Sequence, residues 1–323
     1  MPDITHRSID ANGIRMHIAE CGAGPLVVLC HGFPESWYSW RHQLTTLAEA
    51  GFHAVAPDMR GYGQTDRPEG IDQYTLLHLA GDMVGLLDAL GAADGVIIGH
   101  DWGAPVAWTS ALLRPDRFRA VVGLSVPFWK RLPVRPTSVM PQNEFAVFYQ
   151  LYYQTPGPAE AEYERDVRGS IRGLLYSVSG DAPHSPSASS QVGMVPRQGG
   201  FISYLMNPPS LPGWITETDV DYYASEFTRT GFRGALNWYR NIDRSWELFA
   251  PFAGKQITVP ALYIVGDRDL VLAFPGMDQI IANLPKVVPQ LRNEIILPGC
   301  GHWTQQERPR EVNAAILDFL RHL

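Results

Sequence analysis

Short apolar runs alternate along the chain with longer segments in which apolar residues recur three and four positions apart. The runs PLVVLC (25–30), HAVAP (53–57), GVIIG (95–99) and AVVGLSV (120–126) are rich in β-branched residues. Continuous runs of this kind suit strands buried on both faces of a sheet. Between them SWRHQLTTLAEA (39–50), YTLLHLAGDMVGLLDAL (74–90) and VAWTSALLR (106–114) carry the helical spacing. Two earlier runs, HRSID (6–10) and IRMHIAE (14–20), flank Ala11-Asn12-Gly13. An Asn-Gly pair there predicts a hairpin, because both central residues of that turn need positive φ. The alternation as a whole predicts an α/β fold, with a mostly parallel sheet and helices on its faces.

The rhythm stops after Val126. From there to about Asn241 the chain is rich in aromatic residues and shows no β-α-β alternation. Within this stretch YSVSGDAPHSPSASSQVGMVPRQGG (176–200) is dense in Ser, Pro and Gly and predicts a long loop, of the kind that serves as a lid. The rhythm returns with ALYIVG (261–266) and RNEIILPG (292–299), and the chain closes on the helical pattern EVNAAILDFLRHL (311–323). The predicted organisation is a core of residues 1–127 and 242–323 with an inserted, mainly helical cap at 128–241. No internal repeat is present.

Composition narrows the class. Of 323 residues 45% are hydrophobic and 18% charged, which predicts a packed globular protein. Lys+Arg 26 against Asp+Glu 33 gives a net charge of −7 with no basic stripe, so neither nucleic acid nor an acidic membrane surface is an expected partner. Cys21, Cys30 and Cys300 form no C-x-x-C pair and no zinc-ligand spacing; they read as buried free thiols in a reducing compartment. The N-terminus lacks an apolar signal core, and no run approaches the ~20 residues of a membrane span. The expectation is a soluble, cytoplasmic protein, monomeric or homodimeric.

Four short motifs fall directly after four of the strands, where open β/α sheets bind ligands. The first is Gly99-His100-Asp101-Trp102-Gly103. Small residues flanking a nucleophile mark a tight strand-to-helix elbow. An Asp at a helix start is also an ordinary N-cap; the glycines on both sides favour the elbow. A carboxylate, with a pKa near ~4, is ionised at neutral pH and needs no base to activate it. It attacks sp³ carbon bearing a leaving group and forms an ester of the protein itself. Attack on a carbonyl would give a labile anhydride, which argues against esterase or protease chemistry.

Such an ester must then be hydrolysed. His302, in PGCGHWTQQERP, and the acid pair Asp267 and Asp269, in ALYIVGDRDLVL, follow the last two strand runs. The chain order nucleophile, acid, histidine is that of a hydrolase elbow. A histidine oriented by a carboxylate activates water. Asp269 is preferred as that carboxylate, since it lies three residues past Gly266, where the chain has turned over the sheet edge. The fourth motif is His31-Gly32-Phe33-Pro34. The Phe33 and Trp102 N–H groups are candidates for an oxyanion hole, and Pro34 for fixing the turn through a cis peptide; an ordinary Gly-Pro turn is the plainer reading.

HGFPESWYSWRHQ, GHDWGAPVAW, GDRDLVL and GCGHWTQQERP together resemble the α/β-hydrolase-fold epoxide hydrolases, and are most similar to the soluble epoxide hydrolase type. The resemblance spans nearly the whole chain. Its most specific parts are FYQLYYQTPGPAEAE and GFRGALNWYRN in the insertion, because many other α/β-hydrolases share HGxP and the elbow. It implies that two cap tyrosines, Tyr149 and Tyr239, point at the nucleophile. Thirteen tyrosines are present, and composition alone does not select these two; Tyr152 and Tyr153 are neighbours of Tyr149. A phenol, with a pKa near ~10, stays protonated and can donate to the oxygen of an opening epoxide. The implied pocket includes His31, Pro34 and Tyr153, the implied partners are a small apolar epoxide and water, and no metal or organic cofactor is required. The alternative is a haloalkane or haloacid dehalogenase with the same Asp nucleophile. Phe33 stands where haloalkane dehalogenases often place Asn, and Trp102 where fluoroacetate dehalogenases place Arg; both departures count against it. A non-catalytic binding protein on the same fold would be expected to have lost the nucleophile, the base or the cap tyrosines.

Overall fold

The alternation that opens the chain folds into an antiparallel pair, β1 (Thr5–Ala11) and β2 (Ile14–Cys21). Asn12 and Gly13 between them have φ of 49° and 77°, the left-handed conformations such a turn requires. The computed structural model describes residues 2–183 and 192–323. After the hairpin come β3 (Leu26–Cys30), α1 (Arg41–Glu49), β4 (His53–Pro57), α2 (Leu76–Ala89), β5 (Gly95–His100), α3 (Gly103–Leu113) and β6 (Phe118–Leu124).

The insertion follows, with β7 (Ala146–Phe148), α4 (Tyr149–Tyr152), α5 (Pro158–Glu164), α6 (Val167–Ser177), β8 (Met194–Pro196), α7 (Glu217–Thr230) and α8 (Arg233–Arg240). The chain then returns through α9 (Ile242–Leu248) to the sheet, with β9 (Ala261–Gly266), α10 (Met277–Ala282), α11 (Leu284–Val287), β10 (Leu291–Leu297), α12 (Thr304–Glu307) and α13 (Pro309–Arg321).

The main sheet has the order β1-β2-β4-β3-β5-β6-β9-β10. It is antiparallel at β1–β2–β4 and parallel from β4 onward. Alternate residues of the central strands feed two separate apolar layers. Val28, Ile97, Val121 and Val265 pack with Met83, Leu86 and Trp108 of α2 and α3. Val27, Leu29, Ile98 and Ile264 pack with Leu44 of α1 and with Val312 and Ile316 of α13. Each such side chain, fully buried, contributes roughly 1.5–3 kcal/mol. The three cysteines are buried and unpaired, and among the described residues no helix is long and apolar enough to cross a membrane.

The strand order reverses between β3 and β5: the chain leaves β3 for β4 on one side and returns to β5 on the other. That switch opens a crevice at the carboxyl ends of β3 and β5. It puts the 31–34 motif beside the elbow.

The Ser/Pro/Gly-rich stretch is not loop throughout, which corrects the reading of 176–200. Its first two residues finish α6, whose apolar face (Ile171, Leu174, Leu175) is buried. Met194–Pro196 pair antiparallel with β7, Phe148 opposite Met194. That three-residue strand is held by a cross-strand partner 46 positions away, a pairing no local pattern announces. Residues 184–191 of the stretch lie outside the described residues.

Candidate active site

Asp101 sits on the turn from β5 into α3 with φ of 49°, a strained value for a residue with a side chain. The turn closes only because its neighbours are glycines. A Cβ on Gly99 would collide with the Gly103 carbonyl, and one on Gly103 with the Cys30 carbonyl. Gly32 clears the space in front: a Cβ there would strike the Asp101 carboxylate. The Phe33 N–H donates to Asp101 Oδ1 at 2.8 Å. Trp102 precedes the first turn of α3, and its N–H has no partner among the described residues. Both amides therefore lie at the positive end of a helix or on the adjoining loop, where negative charge is favoured.

His302 lies on the loop between β10 and α12 with its ring between two carboxylates. Nδ1 is 3.0 Å from Asp269 Oδ1, and Nε2 is 3.4 Å from Asp101 Oδ2. Burial opposes a charge on this ring, but Asp269 and Asp101 outweigh it and raise the imidazole well above 6.5. Asp269 is buried and also accepts from the Val271 N–H at 3.0 Å. Burial pushes its carboxyl up, yet His302 and the neighbouring hydrogen bonds prevail and hold it below 3.8. Asp267, the other acid of the pair, is exposed.

Tyr149 opens α4 and Tyr239 lies on α8. Their rings meet at 5.8 Å between centroids, and Tyr239 stands edge-on to Trp102 at 5.2 Å and to Phe33 at 5.8 Å. Burial and then the Asp101 carboxylate raise both phenols above 10, which keeps them in the donating form. The Tyr149 hydroxyl accepts from Gln150 Nε2 at 3.0 Å, leaving its own proton free to donate. No protein group bonds the Tyr239 hydroxyl among the described residues. Tyr153 packs its ring on Phe33 and Tyr239 while its hydroxyl bonds that of Tyr163, so it offers the site an apolar wall and no donor. The Phe33–Pro34 peptide is cis, and both residues are buried.

His31 takes a different place from the pocket role implied for it. Its ring is fully buried, with Nδ1 2.9 Å from the Gly32 carbonyl and Nε2 accepting from the Met59 N–H at 3.0 Å. Both nitrogens are used within the protein, and the ring pins the 31–34 loop from below rather than facing a ligand.

Beneath the site lies a buried network that motif reading missed. Glu35 Oε2 accepts from the Gly32 N–H at 3.0 Å and faces His100 Nδ1 at 2.8 Å. Its Oε1 accepts from Gln305 and Gln306 at 3.0 and 3.2 Å. His100 Nε2 donates to the His302 carbonyl at 2.6 Å. Burial opposes the Glu35 charge, but the facing imidazoles and the Gly32 amide hold its carboxyl down to about 2. The network ties together the three loops that carry Phe33, Asp101 and His302. The available signal was a Glu and a His standing inside otherwise apolar strand-end motifs.

Residues 25–168 match a family model described as the alpha/beta hydrolase fold. The chain is 47% identical to epoxide hydrolase A of Mycobacterium tuberculosis, over 99% of this chain and 98% of that one. It is 46% identical to epoxide hydrolase 3 of Siraitia grosvenorii, over 99% of both. The crystal structure of epoxide hydrolase A from Mycobacterium thermoresistibile superposes with a TM-score of 0.91 at 46% identity, covering 99% of this chain and 98% of that one.

Proposed function

The chain belongs to the epoxide hydrolases of the α/β-hydrolase fold, and on that premise we propose that Asp101 is its nucleophile, Tyr149 and Tyr239 its ring-opening donors, and His302 with Asp269 its water-activating pair. Residues 128–241 act as the cap over a core of 1–127 and 242–323. The single observation that carries this reading is the Asp101 carboxylate itself: one oxygen is held by the Phe33 N–H at 2.8 Å and the other faces His302 Nε2 at 3.4 Å.

An apolar epoxide enters between sheet and cap. An Asp101 oxygen forms a bond to one ring carbon as that carbon's C–O bond breaks, and a tyrosine proton passes to the departing oxygen. The product is a hydroxyalkyl ester on Asp101. Esterification removes the Asp101 charge and with it part of what holds a proton on His302; that proton replaces the one the tyrosine gave up, and the neutral ring is then a base at the step that needs one. His302 Nε2 then takes a proton from water, and the hydroxide adds to Cγ of Asp101. The oxyanion that forms lies by the Phe33 and Trp102 N–H groups, donors worth several kcal/mol in such sites. Collapse expels the alkoxide of a vicinal diol, which takes the remaining hydroxyl proton from the Asp101 carboxyl group, and the restored carboxylate again faces a protonated His302.

The buried free thiols support a reducing, cytoplasmic setting, and the monomer or homodimer needs no nucleic acid or membrane. Phe33 stands where haloalkane dehalogenases often place a halide-binding Asn, and Trp102 where fluoroacetate dehalogenases place Arg, which favours the epoxide. One styrene-type epoxide and one bromoalkane, assayed side by side, test this: diol from the first without bromide from the second is expected, and the reverse would overturn the reading.

A further inference from the structure

Ser125 directly follows β6 in a conformation that its residue type does not favour. Its φ is 69° and it is fully buried. A non-glycine residue persists there only where its surroundings over-determine it. They do: its N–H donates to the Ile264 carbonyl at 2.8 Å, and its own carbonyl accepts from the Tyr263 hydroxyl at 2.8 Å. The effect is to aim the side chain at the base. Ser125 Oγ lies 3.1 Å from His302 Nδ1, almost as close as Asp269 Oδ1 at 3.0 Å.

The hydrogen-bond inventory around Nδ1 is then specific. Nδ1 carries one proton, shared between the Asp269 carboxylate and the Ser125 oxygen. The Ser125 O–H is then left to donate, and buried donors of this kind are paired in native structures. Asp269 has a second oxygen, Oδ2, that is buried with no partner among the described residues, and the Ser125 hydroxyl is among the groups that hold the Asp269 carboxyl low. We propose that Ser125 is a positioning residue of the ester-hydrolysis step: its hydroxyl fixes the plane of the His302 ring and steadies the charge on Asp269. The proposal rests on the two-step reading given above. It assigns Ser125 no contact with substrate, so ring opening by Asp101 does not depend on it.

Two variants separate the hydroxyl from the backbone. Ser125→Ala keeps a Cβ at positive φ, whereas Ser125→Gly relieves that strain; both remove the hydroxyl. In rapid-mixing experiments with a styrene-type epoxide, both are expected to form the ester at the wild-type rate and to hydrolyse it roughly fivefold more slowly, the equivalent of one hydrogen bond. The ester then accumulates, and kcat and KM fall together. The inference is overturned if hydrolysis is unchanged in Ser125→Ala, or if Ser125→Gly restores what Ser125→Ala loses. Should wild-type enzyme form no ester at all, the two-step reading itself fails, an outcome distinct from either.

Discussion

The two sides of the site are built by different means. On the sheet side, Asp101, Asp269 and His302 are held at strand ends by backbone hydrogen bonds and by each other, at 2.8 to 3.4 Å. On the cap side, Tyr149 and Tyr239 are placed chiefly by rings packed edge to face, with centroids 4.7 to 5.8 Å apart. Hydrogen bonds fix a group to within tenths of an ångström, whereas aromatic packing fixes a surface and leaves a hydroxyl to meet what arrives. The sheet side thus suits a step on a fixed atom, Cγ of Asp101. The cap side suits a step on an oxygen whose position changes with the substrate.

If that division is right, substitutions should separate the steps. Asp101→Ala removes the only nucleophile and should lower turnover by at least about 10⁴-fold in a steady-state diol assay; substantial residual diol would break the comparison at its centre. His302→Gln should still alkylate and then stall, by roughly 10³-fold in hydrolysis. Intact-mass measurement should show an adduct of one substrate mass, and an unmodified protein would reject the scheme. Tyr239→Phe should do the converse. Ring opening is expected to slow by roughly 10²-fold with ester hydrolysis nearly unchanged; equal losses in both steps would mean that the ring only shapes the pocket.

The smallest effect on chemistry and the largest on stability belong to the network below. Glu35→Ala leaves the partners of a fully buried carboxylate unmatched and should cost about 3–5 kcal/mol in chemical denaturation. The sign with pH is fixed by the depressed carboxyl, about 2 in the fold against 4.5 in the free chain. Its contribution is present above pH 4.5 and fades as pH falls toward 2. The gap between wild type and variant should close over that window. A gap that is constant with pH would place the loss in packing instead.

The sheet side was also the more legible in sequence, for the same physical reason. Continuous apolar runs mark buried strands, and the glycines on both sides of Asp101 stand out in the spacing, although one collision that requires them, Gly103 with the Cys30 carbonyl, is not local. Phe33, Asp101, Asp269 and His302 each follow a strand by a few residues, so finding the strands finds them. Tyr149 and Tyr239 have no such signal, since a tyrosine in an aromatic-rich segment looks like core; only family resemblance selected them. Ser125 and Glu35 escaped because their partners, His302 and His100, lie 177 and 65 positions away. His31 was misplaced because a motif shows that a histidine is present and not which way its ring turns.

The most direct measurement is a single turnover in heavy-oxygen water with enzyme in excess. Water that attacks the Asp101 ester leaves its oxygen in the carboxylate, so the heavy isotope should appear in the peptide containing Asp101 and be absent from the diol. Label found in the diol, with none in Asp101, would mean that water opens the epoxide directly and would contradict the account.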